Sequence, residues 1–107
     1  MMRRLAMLAA VCAVGLVLSA WANAQGAAEG VYKAKCASCH GADGKGATPA
    51  GKATKARDFS AEEVKKETDG EWTEIIVKGK NKMPSYDKKL TESEVKDVVA
   101  YIRSLSK

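Results

Sequence analysis

The 107-residue sequence predicts an all-α fold of about four helices. Three observations carry the expectation. A helix-start signature occurs twice: Phe59-Ser60 with Glu63-Val64, and Leu90-Thr91 with Glu94-Val95. Each copy offers a capping box flanked by a hydrophobic staple. Val95, Val98, Val99, Ile102 and Leu105 recur at three- and four-residue spacing, which puts them on one stripe of a helix. No stretch alternates apolar and polar residues as a half-buried strand does.

The first 24 residues stand apart. Arg3 and Arg4 precede an uncharged apolar run from Leu5 to Ala20, and Ala22-Asn23-Ala24 follows as a small-x-small cleavage site. That order describes a secretory signal peptide cut after Ala24. The run is short for a membrane span, which needs about 20 apolar residues. Removing 24 of 107 residues leaves an 83-residue domain, 25–107, placed in the periplasm. Arg3, Arg4 and Cys12 leave with the signal. The remaining 16 basic residues face 13 acidic ones, a net +3 with the signs interspersed. No basic block with interleaved aromatics is present, so nucleic acid is not an expected partner.

Within the domain a first helix is expected from about Ala27 into Cys36, with Val31 and Tyr32 as its larger apolar residues. Gly41–Lys55, GADGKGATPAGKATK, reads as an extended loop: it holds four glycines and Pro49 and no large apolar residue. A second helix starts at Ser60. A third is expected over Glu71–Lys78, with Ile75 and Ile76 in the core and Gly79 as a left-handed cap. Gly79–Lys89 is a polar loop containing Met83 and Pro84, and the last helix starts at Thr91. These elements supply few large apolar residues, and a chain this small commonly needs a further staple.

Residues 36–40 read CASCH. A disulfide across so short a loop adds little stability. A thioredoxin-like dithiol needs a preceding strand, which QGAAEGVYKAK does not resemble. Zinc needs a second ligand pair, and His40 is the only histidine. The remaining chemistry is covalent haem attachment. Cys36 and Cys39 would each form a thioether with a vinyl group, and His40 would bind the iron. Met83 is the only methionine left after cleavage. It sits in a polar loop stiffened by Pro84, which suits a sixth ligand better than a gap-filler in the core. A haem iron with both axial positions filled transfers one electron and excludes small ligands.

CASCHG, KNKMPSY and LTESEVKDVVAYIRSL together resemble the class I c-type cytochromes in their short bacterial, monohaem form, over residues 27–107. The resemblance implies the cytochrome c fold around one covalently bound haem c with its iron, held by Cys36, Cys39, His40 and Met83. It implies no catalysis, and redox-protein donors and acceptors as partners. A soluble, exported one-electron carrier is the expected function, with a cytochrome subunit of a periplasmic dehydrogenase or oxidase as the alternative. The resemblance also pairs the first and last helices through Ala28 and Tyr32 against Val98 and Tyr101. It offers the Pro49 carbonyl as acceptor for His40, and Trp72 either as a haem contact or as packing. Lys45, Lys78, Lys80, Lys82, Lys88 and Lys89 are candidates for a basic ring that meets acidic partners.

Overall fold

The computed structural model describes residues 26–107. The expected signal peptide and its cleavage site lie outside the described residues. The described chain is all-α, with no strand. One isolated bridge pairs Lys80 with Met83. In order the helices are α1 (26–35), α2 (Ala37–His40), α3 (Pro49–Thr54), α4 (Glu62–Lys65), α5 (Asp69–Lys78) and α6 (Glu92–Leu105). No helix among the described residues is long and apolar enough to cross a membrane.

Helix α1 runs into α2 through a kink at Cys36. The Cys36 N–H still donates to the Tyr32 carbonyl, 2.8 Å, and the His40 N–H to the Cys36 carbonyl, 2.9 Å. Gly41 ends α2 at φ 82°, a conformation that costs glycine nothing. Its carbonyl accepts a 2.6 Å bond from the hydroxyl of the fully buried Tyr32.

The 41–55 segment is more structured than its composition suggests. Thr48 caps α3 by accepting from Gly51 N–H, Pro49 takes the first helical position, and α3 packs on α2. The packing depends on Gly51. A Cβ there would lie 2.1 Å from the Cys39 carbonyl oxygen.

Helix α4 departs from expectation in its cap. Asp58 Oδ1 accepts from both the N–H and the hydroxyl of Ser60, at 2.8 and 2.6 Å. The Ser60 side chain is thus committed to a local turn, the N-cap falls on Ala61 without a side-chain bond, and only four residues are helical. Phe59 and Val64 are nonetheless both buried. Helix α5 begins at Asp69, before the expected Glu71, because Thr68 Oγ1 accepts from Glu71 N–H at 3.1 Å. Gly79 ends it at φ 77° with extended ψ, so the positive φ was foreseen but the left-handed cap does not form.

Helix α6 matches its signature. Thr91 Oγ1 accepts from Glu94 N–H, 3.1 Å, and the Glu94 carboxylate accepts from Thr91 N–H, 3.0 Å. Val95, Val98, Val99 and Ile102 are buried, and Leu105 is half-buried against the same core. They meet Tyr32, Phe59, Val64, Trp72, Ile76 and Leu90. The α1–α6 crossing carries the expected aromatic pair, with the Tyr32 and Tyr101 rings 5.2 Å apart. The core thereby joins the two ends of the domain and leaves α2, the 54–57 segment and the 80–86 loop to border one open hollow.

Candidate functional site

The hollow is a cavity of about 720 Å³, and Cys36, Cys39, His40 and Met83 all line it. A volume of this order is typical of sites that take a small organic ligand or cofactor. Among the described residues Cys36 and Cys39 are free thiols. Burial pushes the Cys36 thiol up to about 11, so it stays protonated at neutral pH.

Two contacts set the His40 ring. Its Nδ1–H donates to the Arg57 carbonyl at 3.3 Å, and the ring stacks on Phe59 with centroids 4.5 Å apart and planes 19° off parallel. Tyr32 holds the Gly41 carbonyl just beyond it. Burial lowers the His40 pKa. The bond to the Arg57 carbonyl partly offsets that effect, and the Arg57 charge adds to it. The imidazole is therefore neutral, with the proton on Nδ1 and the lone pair on Nε2. That tautomer leaves Nε2 free to ligate a metal. Pro49, offered as the acceptor for His40, instead opens α3. Arg57 takes the role.

Met83 is carried by a tight loop. Lys80 and Met83 exchange backbone hydrogen bonds of 3.1 and 3.0 Å, and Asn81 closes the turn at φ 55°. Asparagine tolerates that left-handed position better than most residues. Ties to three helices hold the loop. Ser85 Oγ donates to the Val77 carbonyl and Tyr86 N–H to the Ile76 carbonyl, both on α5. The Tyr86 hydroxyl donates to the Lys35 carbonyl of α1 at 2.9 Å. Lys82 Nζ donates to the Ala53 carbonyl of α3 at 3.2 Å. Gly79 is required beneath the loop, since a Cβ there would lie 2.7 Å from the Met83 carbonyl oxygen.

Behind the main hollow lies a smaller cavity of about 60 Å³ that shares Cys36, His40, Arg57, Ile75 and Met83 with it and reaches Trp72. Ile75, expected in the core with Ile76, is half-exposed and lines both cavities; Ile76 alone of the two is buried. Trp72 is buried, and among the described residues its Nε1–H finds no acceptor in hydrogen-bonding geometry. Its influence on the nearby Glu67 carboxylate is small beside that of Arg57.

The basic residues are arranged differently from expectation. Of the six lysines proposed as a ring, only Lys80 and Lys82 border the cavity, and Lys35, Lys55 and Arg57 complete the cationic border. No carboxylate lies among the lining residues. Lys78 pairs with Glu74, and Lys89 sits over the Tyr86 ring at 5.3 Å. Arg57, Phe59 and Tyr86 escaped the sequence reading as site residues. The first acts through a backbone carbonyl, which no residue type announces.

No curated protein matches the chain. Residues 23–102 match the family described as cytochrome C oxidase, cbb3-type, subunit III. That match spans most of the sequence, and the chain belongs to this family as a c-type cytochrome domain.

Proposed function

We propose that the chain holds one haem c through thioethers to Cys36 and Cys39, with His40 and Met83 as axial ligands to its iron. In this reading it is a small soluble exported carrier of the short class I type, working in the periplasm after cleavage behind Ala24. It takes single electrons from one larger redox protein and delivers them to another. The observation that carries the proposal is the convergence of all four donors on one cavity, although Met83 lies far along the chain from CASCH.

The donor set suits the group. Two free thiols stand on one helical turn, a neutral imidazole offers Nε2, and a thioether sits on a tethered loop. When bound, haem supplies a reversible one-electron couple, and Met/His ligation poises that couple at a high potential. The protein's own part is to hold these groups still. The Arg57 carbonyl keeps the His40 proton on Nδ1. The ties from Tyr86 and Lys82 fix Met83, and Phe59 backs the imidazole away from water. Five cations and no carboxylate at the cavity border would draw acidic partner surfaces toward it.

The family described for subunit III of an oxidase supports a second reading, in which the same domain serves as the cytochrome subunit of a larger complex. Purification without affinity capture separates the two. A carrier runs alone at the size of the single chain, and a subunit co-elutes with a stoichiometric partner. The site is tested by visible spectroscopy of the exported protein. The oxidised form should show the weak long-wavelength sulfur-to-iron band, and Met83→Ala should abolish it, lower the reduction potential and admit carbon monoxide to the reduced form. A wild-type protein that binds carbon monoxide readily would refute the Met83 assignment.

A further inference from the structure

Building on the haem reading above, we infer that Glu67 is a positioning residue for His40, acting through Arg57. The path of contacts begins on α6. Arg103 donates to the Lys65 carbonyl at 3.0 Å, to the Glu67 carbonyl, and from Nε to Asp69 at 2.7 Å. Its guanidinium also lies 3.6 Å from the centre of the Trp72 ring. These contacts fix the turn between α4 and α5, and with it the origin of the Glu67 side chain. The Glu67 carboxylate then pairs with the Arg57 guanidinium.

Arg57 sits in the segment that joins α3 to α4. Two backbone bonds anchor that segment on either side of it: Ala56 N–H to the Gly51 carbonyl and Phe59 N–H to the Gly44 carbonyl, each 2.9 Å. Between these anchors the ion pair restrains Arg57. The bond that depends on this restraint is a weak one. At 3.3 Å the His40 Nδ1–H contact is at the long end for an N–H donor, so a small shift of the Arg57 carbonyl breaks it. The Glu67 side chain is 20% exposed and that of Arg57 41%, so the pair is only partly shielded from solvent. The acceptor on the second nitrogen of a ligating histidine sets ring orientation and basicity. Glu67 thus governs the imidazole without touching it.

The test is solvent exchange of the His40 Nδ1 proton, followed by NMR in the reduced, exported holoprotein. Glu67→Gln should raise that exchange about two- to fivefold, the scale set by a partly exposed ion pair. Glu67→Asp, which keeps the charge, should raise it less. Glu74→Gln is the control, because among the described residues Glu74 pairs only with Lys78, on the exposed face of α5. If Glu67→Gln loses stability but leaves the Nδ1 proton as in Glu74→Gln, the pair is structural only and the inference fails. Where Glu67→Gln does not accumulate, unchanged exchange in Glu67→Asp overturns it equally. A wild-type protein without haem c overturns the site reading and this inference together; a His/Met wild type with insensitive variants overturns this inference alone.

Discussion

Replacing Gly51 by alanine sets two effects of opposite sign against each other. In a helix interior, glycine to alanine is ordinarily stabilising by about 0.5–1 kcal/mol. At Gly51 the added Cβ would meet the Cys39 carbonyl oxygen at 2.1 Å and the Gly46 carbonyl oxygen at 2.5 Å. Both neighbours are backbone atoms and cannot rotate away, so α3 must retreat from α2 by about 1 Å to restore ordinary contact. Overpacking of that kind costs about 1–3 kcal/mol. A 2.1 Å approach to backbone lies at the upper end of that range, about 2–3 kcal/mol, so with the propensity gain subtracted a net loss of about 1–2.5 kcal/mol is expected, a fall of roughly 4–20 °C in Tm for a domain of this size. Gly30 supplies the comparison: it lies exposed in α1, with none of the described residues within 4 Å of its would-be Cβ. Gly30→Ala should therefore raise Tm by a few degrees. Thermal unfolding of the two holoprotein variants, followed by far-UV circular dichroism, measures both. A Gly51→Ala protein as stable as wild type would show that α2 and α3 do not pack as described.

Further outcomes are expected elsewhere. Tyr86→Phe removes the bond to the Lys35 carbonyl and should cost about 1 kcal/mol in denaturant unfolding while leaving the ring's packing intact. The Arg57 guanidinium bound to Glu67 holds that carboxyl below its ordinary value of 4.5, against the opposing effect of burial. Its contribution to stability is therefore complete above about pH 4.5 and fades as pH falls through the lower folded-state value. Unfolding measured from pH 6 downward should show Glu67→Gln losing less stability with acid than wild type does. Charge reversal at the cavity border, as in Lys35→Glu with Lys80→Glu, should slow association with an acidic redox partner and flatten its dependence on ionic strength. Stopped-flow electron transfer over a salt series checks this.

The last helix was legible because its instructions are local. Thr91 and Glu94 cap each other, and the apolar stripe needs only the helical period. The Ser60 signature was equally plain in sequence but was outcompeted by Asp58, two residues upstream, which captured the serine first. Helix α3 was hidden in a glycine-rich segment. The Thr48-Pro49 pair, a cap followed by a first-turn proline, was the signal that marks its start. Cys36, Cys39, His40 and Met83 could be singled out because the domain has no other cysteine, histidine or methionine, but their meeting at one cavity depends on tertiary ties. The acceptor for His40 was beyond sequence reasoning: any residue at 57 would carry that carbonyl, and only the path of the chain brings it to the ring.

The hydrogen bond from Tyr86 to Lys35 also bears on how the domain assembles. It joins residues 51 positions apart, whereas the caps of α3 and α6 and the bonds from Thr48 to the Ser38 and Cys39 carbonyls close over ten residues or fewer. Closing the larger loop costs more chain entropy and is rewarded only once both ends are in place. The 79–86 loop is therefore expected to dock late, after the transition state for folding. Strengthening its ties would then slow unfolding and leave the folding rate nearly unchanged. The lifetime of the native state and the speed of reaching it are governed by different parts of this chain.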